Sequence, residues 1–205
     1  MIRRALWALP ALLLAAAAAQ AVPAVGQEAP DFALRDATGK TVKLSDFRGK
    51  PVVLEWTNPG CPYVRKHYDS GNMASTQQDA TSRGAVWLSI NSTEKDSGDY
   101  LEPARLAAWQ KERKVQPTAT LMDEEGTAGR AYGARTTPHM YIVDAKGRLA
   151  YVGGIDSIPS ADPADIPKAT NHVKQAVADL AAGRPVGTAV TRPYGCSIKY
   201  KSAAS

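Results

Sequence analysis

Two cysteines stand in the 205-residue sequence, Cys61 and Cys196. Cys61 is followed by Pro62, and proline suits the first turn of a helix because its missing N–H needs no partner there. The residues before it, Pro51 to Trp56, read as an apolar strand, so Cys61 falls where a strand and short loop pass into a helix. Unpaired N–H groups and partial positive charge at a helix start favour a thiolate, the form of cysteine that attacks a disulfide or a peroxide. Cys61 is therefore read as a nucleophile, against the plainer alternative of a buried structural cysteine. Position 64 holds Val, which excludes a vicinal Cys-x-x-Cys disulfide. For Cys196 three roles stay open: it resolves an oxidised Cys61 by folding back over it, it forms a static bridge to Cys61, or it is an independent thiol. A bridge across so long a loop would be worth roughly 4–5 kcal/mol on the chain-entropy model.

The three histidines, His67, His139 and His172, raise the question of a metal, since Cys and His together suit copper or zinc. Their spacing argues against one. His67 lies six residues beyond Cys61, about 600° around a helix and on another face. His139, next to Pro138, is the nearest plausible neighbour of the site and reads as a core histidine. Neither a metal nor a cofactor is expected.

These residues need elements to hold them. Phe32 to Leu44 contains two short alternating stretches around Asp36-Ala37-Thr38-Gly39-Lys40, a hairpin signature. Pro51 to Trp56 has the near-continuous apolar character of a strand buried on both faces. A helix is expected from Cys61-Pro62 to about Arg83, with Gly71 able to interrupt it. Ala85 to Asn91 reads as a strand, Pro103 to Lys114 as a helix, Thr118 to Met122 as a strand and Gly126 to Tyr132 as a helical turn. Strands His139 to Asp144 and Arg148 to Val152 flank an Ala145-Lys146-Gly147 turn. A last helix, Lys168 to Ala182, carries Val173, Ala176, Val177 and Leu180 on one face before Gly183. Trp56, Trp87 and Trp109 are assigned to the core, while Ser92 to Tyr100 and Gly154 to Pro167 are expected as surface excursions.

The chain opens with Arg3 and Arg4 ahead of a short Ala-rich apolar run, and Ala19-Gln20-Ala21 fits an A-x-A cleavage site. Residues 1–21 are read as a secretory signal, with cleavage after 24 as the alternative. The run is short for a membrane span, so no membrane attachment is expected after cleavage. The expected location is exported, in the periplasm. The domain is placed at 25–183 and a tail carrying Cys196 at 184–205. The formal charge of +5 is unclustered, which excludes a nucleic-acid footprint.

Several separated motifs agree with one family. Gly26-Gln27-Glu28-Ala29-Pro30-Asp31-Phe32, the run from Gly39 to Leu54, Cys61-Pro62-Tyr63-Val64 and Thr137-Pro138 resemble exported thioredoxin-like proteins and the peroxiredoxin/redoxin superfamily, named for alkyl hydroperoxide reductase and thiol-specific antioxidant. With Gly195-Cys196-Ser197-Ile198-Lys199 near the end, the chain is most similar to a peroxiredoxin-like branch with a single cysteine at the helix. The resemblance implies an α/β thioredoxin-like fold: a central mixed sheet flanked by helices, with an N-terminal hairpin and a C-terminal tail. It implies a thiol oxidoreductase acting on a protein thiol or disulfide, or on a hydroperoxide, with an external thiol reductant. It implies that Pro138 is cis and lies against Cys61, that the Thr137 backbone meets a bound thiol or peptide, and that Glu55 is a buried acid able to take the proton of an attacking thiol. The sequence departs from the peroxiredoxin pattern where a peroxidatic cysteine has Thr or Ser three residues before it and Pro seven before: Asn58 and Leu54 stand there. A non-catalytic binding domain with a Cys61–Cys196 bridge is the alternative outside enzymology.

Overall fold

The computed structural model describes residues 22–202; the expected signal segment, 1–21, lies outside the described residues. A seven-stranded mixed sheet is built, from edge to edge, of β2 (Thr41–Lys43), β1 (Ala33–Asp36), β5 (Ala119–Met122), β4 (Val86–Asn91), β3 (Val52–Trp56), β7 (His139–Val143) and β8 (Leu149–Gly153). Its centre is β3 (Val52–Trp56), every residue of which is buried. β3 pairs parallel with β4 (Val86–Asn91) and antiparallel with β7 (His139–Val143), which returns as β8 (Leu149–Gly153). β5 (Ala119–Met122) adds parallel to β4. The expected hairpin, β1 (Ala33–Asp36) and β2 (Thr41–Lys43), extends the sheet beyond β5. This is the thioredoxin-like α/β fold read from the sequence.

Alternation along the central strands divides the core. Leu54 and Trp56 face one side with Leu88, Ile90, Leu121 and Tyr141, covered by Tyr132 of α4 (Thr127–Tyr132). Val53 faces the other with Trp87, Met140 and Ile142, covered by α1 (Pro62–Asp69), α2 (Asn72–Ser82) and α5 (His172–Ala181). Helix α3 (Pro103–Glu112) joins this second side, where Trp109 packs on Tyr68 of α1 with ring centroids 4.4 Å apart. Trp56 and Trp87 are fully buried; Trp109 is only partly so.

The helical stretch expected from Pro62 to about Arg83 is interrupted at Gly71 into two helices. Gly71, at φ +77, takes the left-handed conformation that glycine adopts without steric cost, and the chain turns there between α1 and α2. Two surface assignments are corrected in part. Ser92 is buried because it accepts from the Trp56 indole at 3.0 Å and donates to Asp123 at 2.6 Å. Ile155 and Asp156 are buried beneath the returning tail.

The tail is docked along its length. Val152 of β8 exchanges backbone bonds with it, donating its N–H to Ala189 O and accepting from Thr191 N, both at 3.0 Å. Cys196–Ser197 forms β9, antiparallel to β6 (Thr136–Thr137), with Cys196 opposite Thr137. Farther on, the Tyr200 hydroxyl donates to Ala134 O at 2.8 Å, and its ring fills space that a side chain at Gly126 or Gly129 would occupy.

Candidate active site

Cys61 is the N-cap of α1, in extended conformation, with Pro62 at the first helical position. Its carbonyl takes the first helical bonds, from Val64 N at 3.1 Å and Arg65 N at 3.0 Å. The sulfur does not cap the helix. Its thiol donates instead to Thr137 O at 3.0 Å, and it accepts from the backbone N–H of Cys196 at 3.4 Å. The Thr137–Pro138 peptide is cis. Cys61, Thr137, Pro138 and Cys196 thus converge on one point, while both sulfurs are free thiols. Cys61 is 2% exposed and Cys196 is half-buried over it.

The two thiols are not equivalent. Burial, then the hydrogen bond and charge of Cys61, push the Cys196 thiol up to about 12. Two of those three causes belong to Cys61 itself. Burial comes first among the causes, and the Cys61 contributions add to it.

Glu55 sits on β3, fully buried, on the same side of the sheet as α1. Its Oε1 accepts from the Tyr68 hydroxyl at 2.8 Å, and its Oε2 from the Trp87 indole and the Ser89 hydroxyl, each at 2.9 Å. Burial raises its carboxyl above the ordinary value, and the three donors only partly oppose this. None of these donors is a cysteine. Asn58, at the position where a peroxiredoxin carries Thr or Ser, turns its side chain to the loop: Oδ1 accepts from Gly60 N at 2.7 Å and Nδ2 donates to Thr93 Oγ1 at 3.3 Å.

The histidines are arranged differently from expectation. His139 is buried against Tyr141 on the opposite side of the sheet from Cys61, its ring 4.6 Å from the tyrosine's. His67 is the one that reaches the tail. Its Nε2 lies 3.1 Å from the Tyr194 hydroxyl, and its Nδ1 lies 2.7 Å from Asn72 Nδ2. The Tyr194 hydroxyl spends its only proton on Asp156 Oδ1 and so accepts from His67 Nε2–H; Nδ1 accepts from the Asn72 amide. This assignment makes His67 neutral, in accord with burial, which lowers it to about 4. Lys66 Nζ completes the group, 3.6 Å from Asp156 Oδ2, with both side chains buried. Tyr63 packs edge-on against Tyr194 at 5.9 Å, and Arg65 donates to Pro59 O at 2.8 Å.

A family model described as the AhpC/TSA family matches residues 25–152. The chain belongs to the AhpC/TSA family. It is 31% identical over 143 residues to the chloroplastic peroxiredoxin Q of Triticum aestivum, an alignment covering 62% of this chain and 57% of that protein. The match thus spans little more than half of the wheat protein's length. It is 33% identical over 127 residues to the thiol-disulfide oxidoreductase ResA of Bacillus subtilis (strain 168), covering 62% of this chain and 65% of that one. Among solved structures, a hypothetical protein from Sinorhizobium meliloti 1021 superposes with a TM-score of 0.73 at 26% identity, over 88% of this chain and 96% of that one. The AhpC/TSA match ends at residue 152 and so leaves out the tail. The relatives named for an activity are thiol-disulfide oxidoreductases and peroxiredoxins, the general class to which this AhpC/TSA chain is similar.

Sequence reasoning assigned no part to Tyr194, Lys66 or Asp156. Lys66 and Asp156 carry no local signal, because a lysine in an amphipathic helix and an aspartate in a polar loop are ordinarily solvated. The aromatic character of Arg192 to Tyr200 was the available sign, since aromatic residues in a tail seek a surface to cover.

Proposed function

We propose that this protein is an exported dithiol oxidoreductase in which Cys61 attacks and Cys196 resolves. The observation that carries the reading is the pairing of Cys196 with Thr137, which sets the Cys196 N–H on the Cys61 sulfur at 3.4 Å. In the first step the Cys61 thiolate attacks a disulfide, forming a mixed disulfide and releasing one thiolate, or a hydroperoxide, forming a sulfenic acid and releasing an alcohol or water. Either product removes the Cys61 contribution to the upward shift of Cys196, which adds to that of burial. Cys196 then loses its proton and attacks the Cys61 sulfur, expelling the second thiolate or a hydroxide that is protonated to water. A Cys61–Cys196 disulfide results, and an external thiol reductant restores both thiols by two exchanges.

Glu55 is the proton-handling group of this reading. Its support is complete burial, a raised carboxyl and a bond to Tyr68 on the helix that Cys61 caps. Export is supported by the composition of residues 1–21.

One observation favours a hydroperoxide as the oxidant over a protein disulfide. Cys61 is 2% exposed beneath the tail, and a small molecule needs less displacement of β9 to reach it. The deciding experiment oxidises the reduced full chain with hydrogen peroxide or with an oxidised dithiol in parallel and maps the products by peptide mass spectrometry. The expected product is a Cys61–Cys196 disulfide that a dithiol reverses, absent in Cys61→Ser. Peroxide or disulfide reduction that proceeds unchanged in Cys61→Ser would overturn the reading.

A further inference from the structure

Resolution by Cys196 requires a tail held in register, and β9 is only two residues long. Two antiparallel pairs do not fix a segment by themselves. On the far side of Cys196 the tail is held by backbone bonds, Ile198 N to Arg135 O and Glu94 N to Lys199 O, and by Tyr200. On the near side backbone bonds hold Ala189 and Thr191 to Val152, and closer to Cys196 the hold is by a side chain. Tyr194, two residues before Cys196, enters a buried polar group made of Lys66, His67 and Asp156.

That group is costly to build. An ion pair withdrawn from water, together with a histidine kept neutral, loses hydration that the pair's own attraction scarcely restores. Asp156 Oδ2 even lacks a hydrogen-bond donor, with Lys66 Nζ 3.6 Å away and His67 Nε2 3.8 Å away. Tyr194 touches all three: it donates to Asp156, accepts from His67 and has the Lys66 ammonium 5.9 Å from its ring centre. Lys66 and His67 belong to α1, the helix that Cys61 caps. The anchor therefore refers the position of the second cysteine to the same rigid element that positions the first.

We infer that Tyr194 is a positioning residue for the resolving step, setting the reach of Cys196 to Cys61 through its hydroxyl bonds to Asp156 and His67. The inference rests on the dithiol reading above. It assigns the buried Lys66–His67–Asp156 group a task in the reaction, which is to hold the tail at the register in which Cys196 can attack.

The test uses the reduced full chain and its Tyr194→Phe variant, with 5,5′-dithiobis(2-nitrobenzoate) as the disulfide. Attack by Cys61 releases one coloured thiolate, and displacement by Cys196 releases the second, so the two steps are read separately in one trace. Phenylalanine keeps the ring against Tyr63 and removes only the hydroxyl. Asp156 Oδ1 retains the Ile158 N–H at 3.2 Å. The expected result is a first release no slower than wild type and a second slower by about tenfold, the scale of one lost hydrogen bond to a charged group. An unslowed second release overturns the inference, as does slowing of both steps by one factor, which is what a merely structural loss produces. If wild type itself yields no Cys61–Cys196 disulfide, the dithiol reading fails first and the inference with it. A wild-type second release that the variant matches in rate overturns the inference alone and leaves the dithiol reading standing.

Discussion

The backbone N–H of Cys196 is aimed at the sulfur of Cys61, 3.4 Å away across a sequence separation of 135 residues. What brings them together is main-chain pairing: Cys196 lies opposite Thr137, whose carbonyl receives the Cys61 thiol proton. One residue, Thr137, thus holds both cysteines.

Replacing Cys196 by Ser is expected to stop the cycle after its first step. Oxidised Cys61 should persist as a sulfenic acid captured by dimedone, or as a mixed disulfide visible as an added mass. Steady-state consumption of oxidant with a dithiol reductant should fall to the rate of external resolution. Mass spectrometry of the quenched variant, set beside wild type, checks this.

Gly195→Ala should loosen the tail. Gly195 has φ +133, and a Cβ there would meet the Thr137 carbonyl oxygen at 2.0 Å, so the chain must shift at the residue before the cysteine. Backbone held in a region closed to side chains costs about 1–3 kcal/mol. The variant should alkylate at Cys61 faster with iodoacetamide and close the disulfide more slowly. Equal alkylation rates in variant and wild type would contradict this.

Glu55→Gln is expected to change the dependence of stability on pH. Because burial raises the Glu55 carboxyl above its ordinary 4.5, the native state holds a proton that the unfolded state gives up. Stability from this group is complete below about 4.5 and declines as pH rises through the folded value. Gln cannot ionise, and its amide can donate to the Tyr68 oxygen while its carbonyl accepts from Trp87 and Ser89. Urea unfolding from pH 4.5 upward should show wild type losing stability relative to the variant; a constant difference would count against a raised carboxyl.

His67 works in the opposite sense. Burial lowers it from 6.5 to about 4, so the unfolded chain binds a proton that the native state refuses. Its stabilisation is present above 6.5 and is lost as pH falls toward 4, by about 3 kcal/mol in all. His67→Gln should remove this part of the acid slope in denaturant titrations.

Much of the fold was legible because its central strands are apolar over their whole length: Val52–Trp56 and Val86–Asn91 admit few readings other than strands buried on both faces. Gly71 and Pro62 marked the boundaries of α1 for conformational reasons that local sequence carries. The meeting of Cys61 with Cys196 was open among three roles, since it depends on a two-residue pairing with Thr137 that no periodicity announces. The Lys66–His67–Asp156 group was missed for a related reason. Each member looks solvated in its own segment, and only the arrival of Tyr194 from the tail makes a buried site of them. His139 adjoins Pro138 in sequence and is a core histidine, but one step along a strand reverses the face of the sheet, so it joins the Trp56–Tyr141 side and not that of Cys61.

The strand that covers Cys61 is also translated after every strand of the main sheet, which is complete at Gly153. A ribosome therefore delivers Cys61 and its scaffold first, and the segment that covers it only later. During that interval the growing chain carries an uncovered thiol at the mouth of α1, open to any disulfide nearby. Tyr194 and Tyr200 are made after it, so the segment that docks over Cys61 meets a sheet whose strands have all left the ribosome.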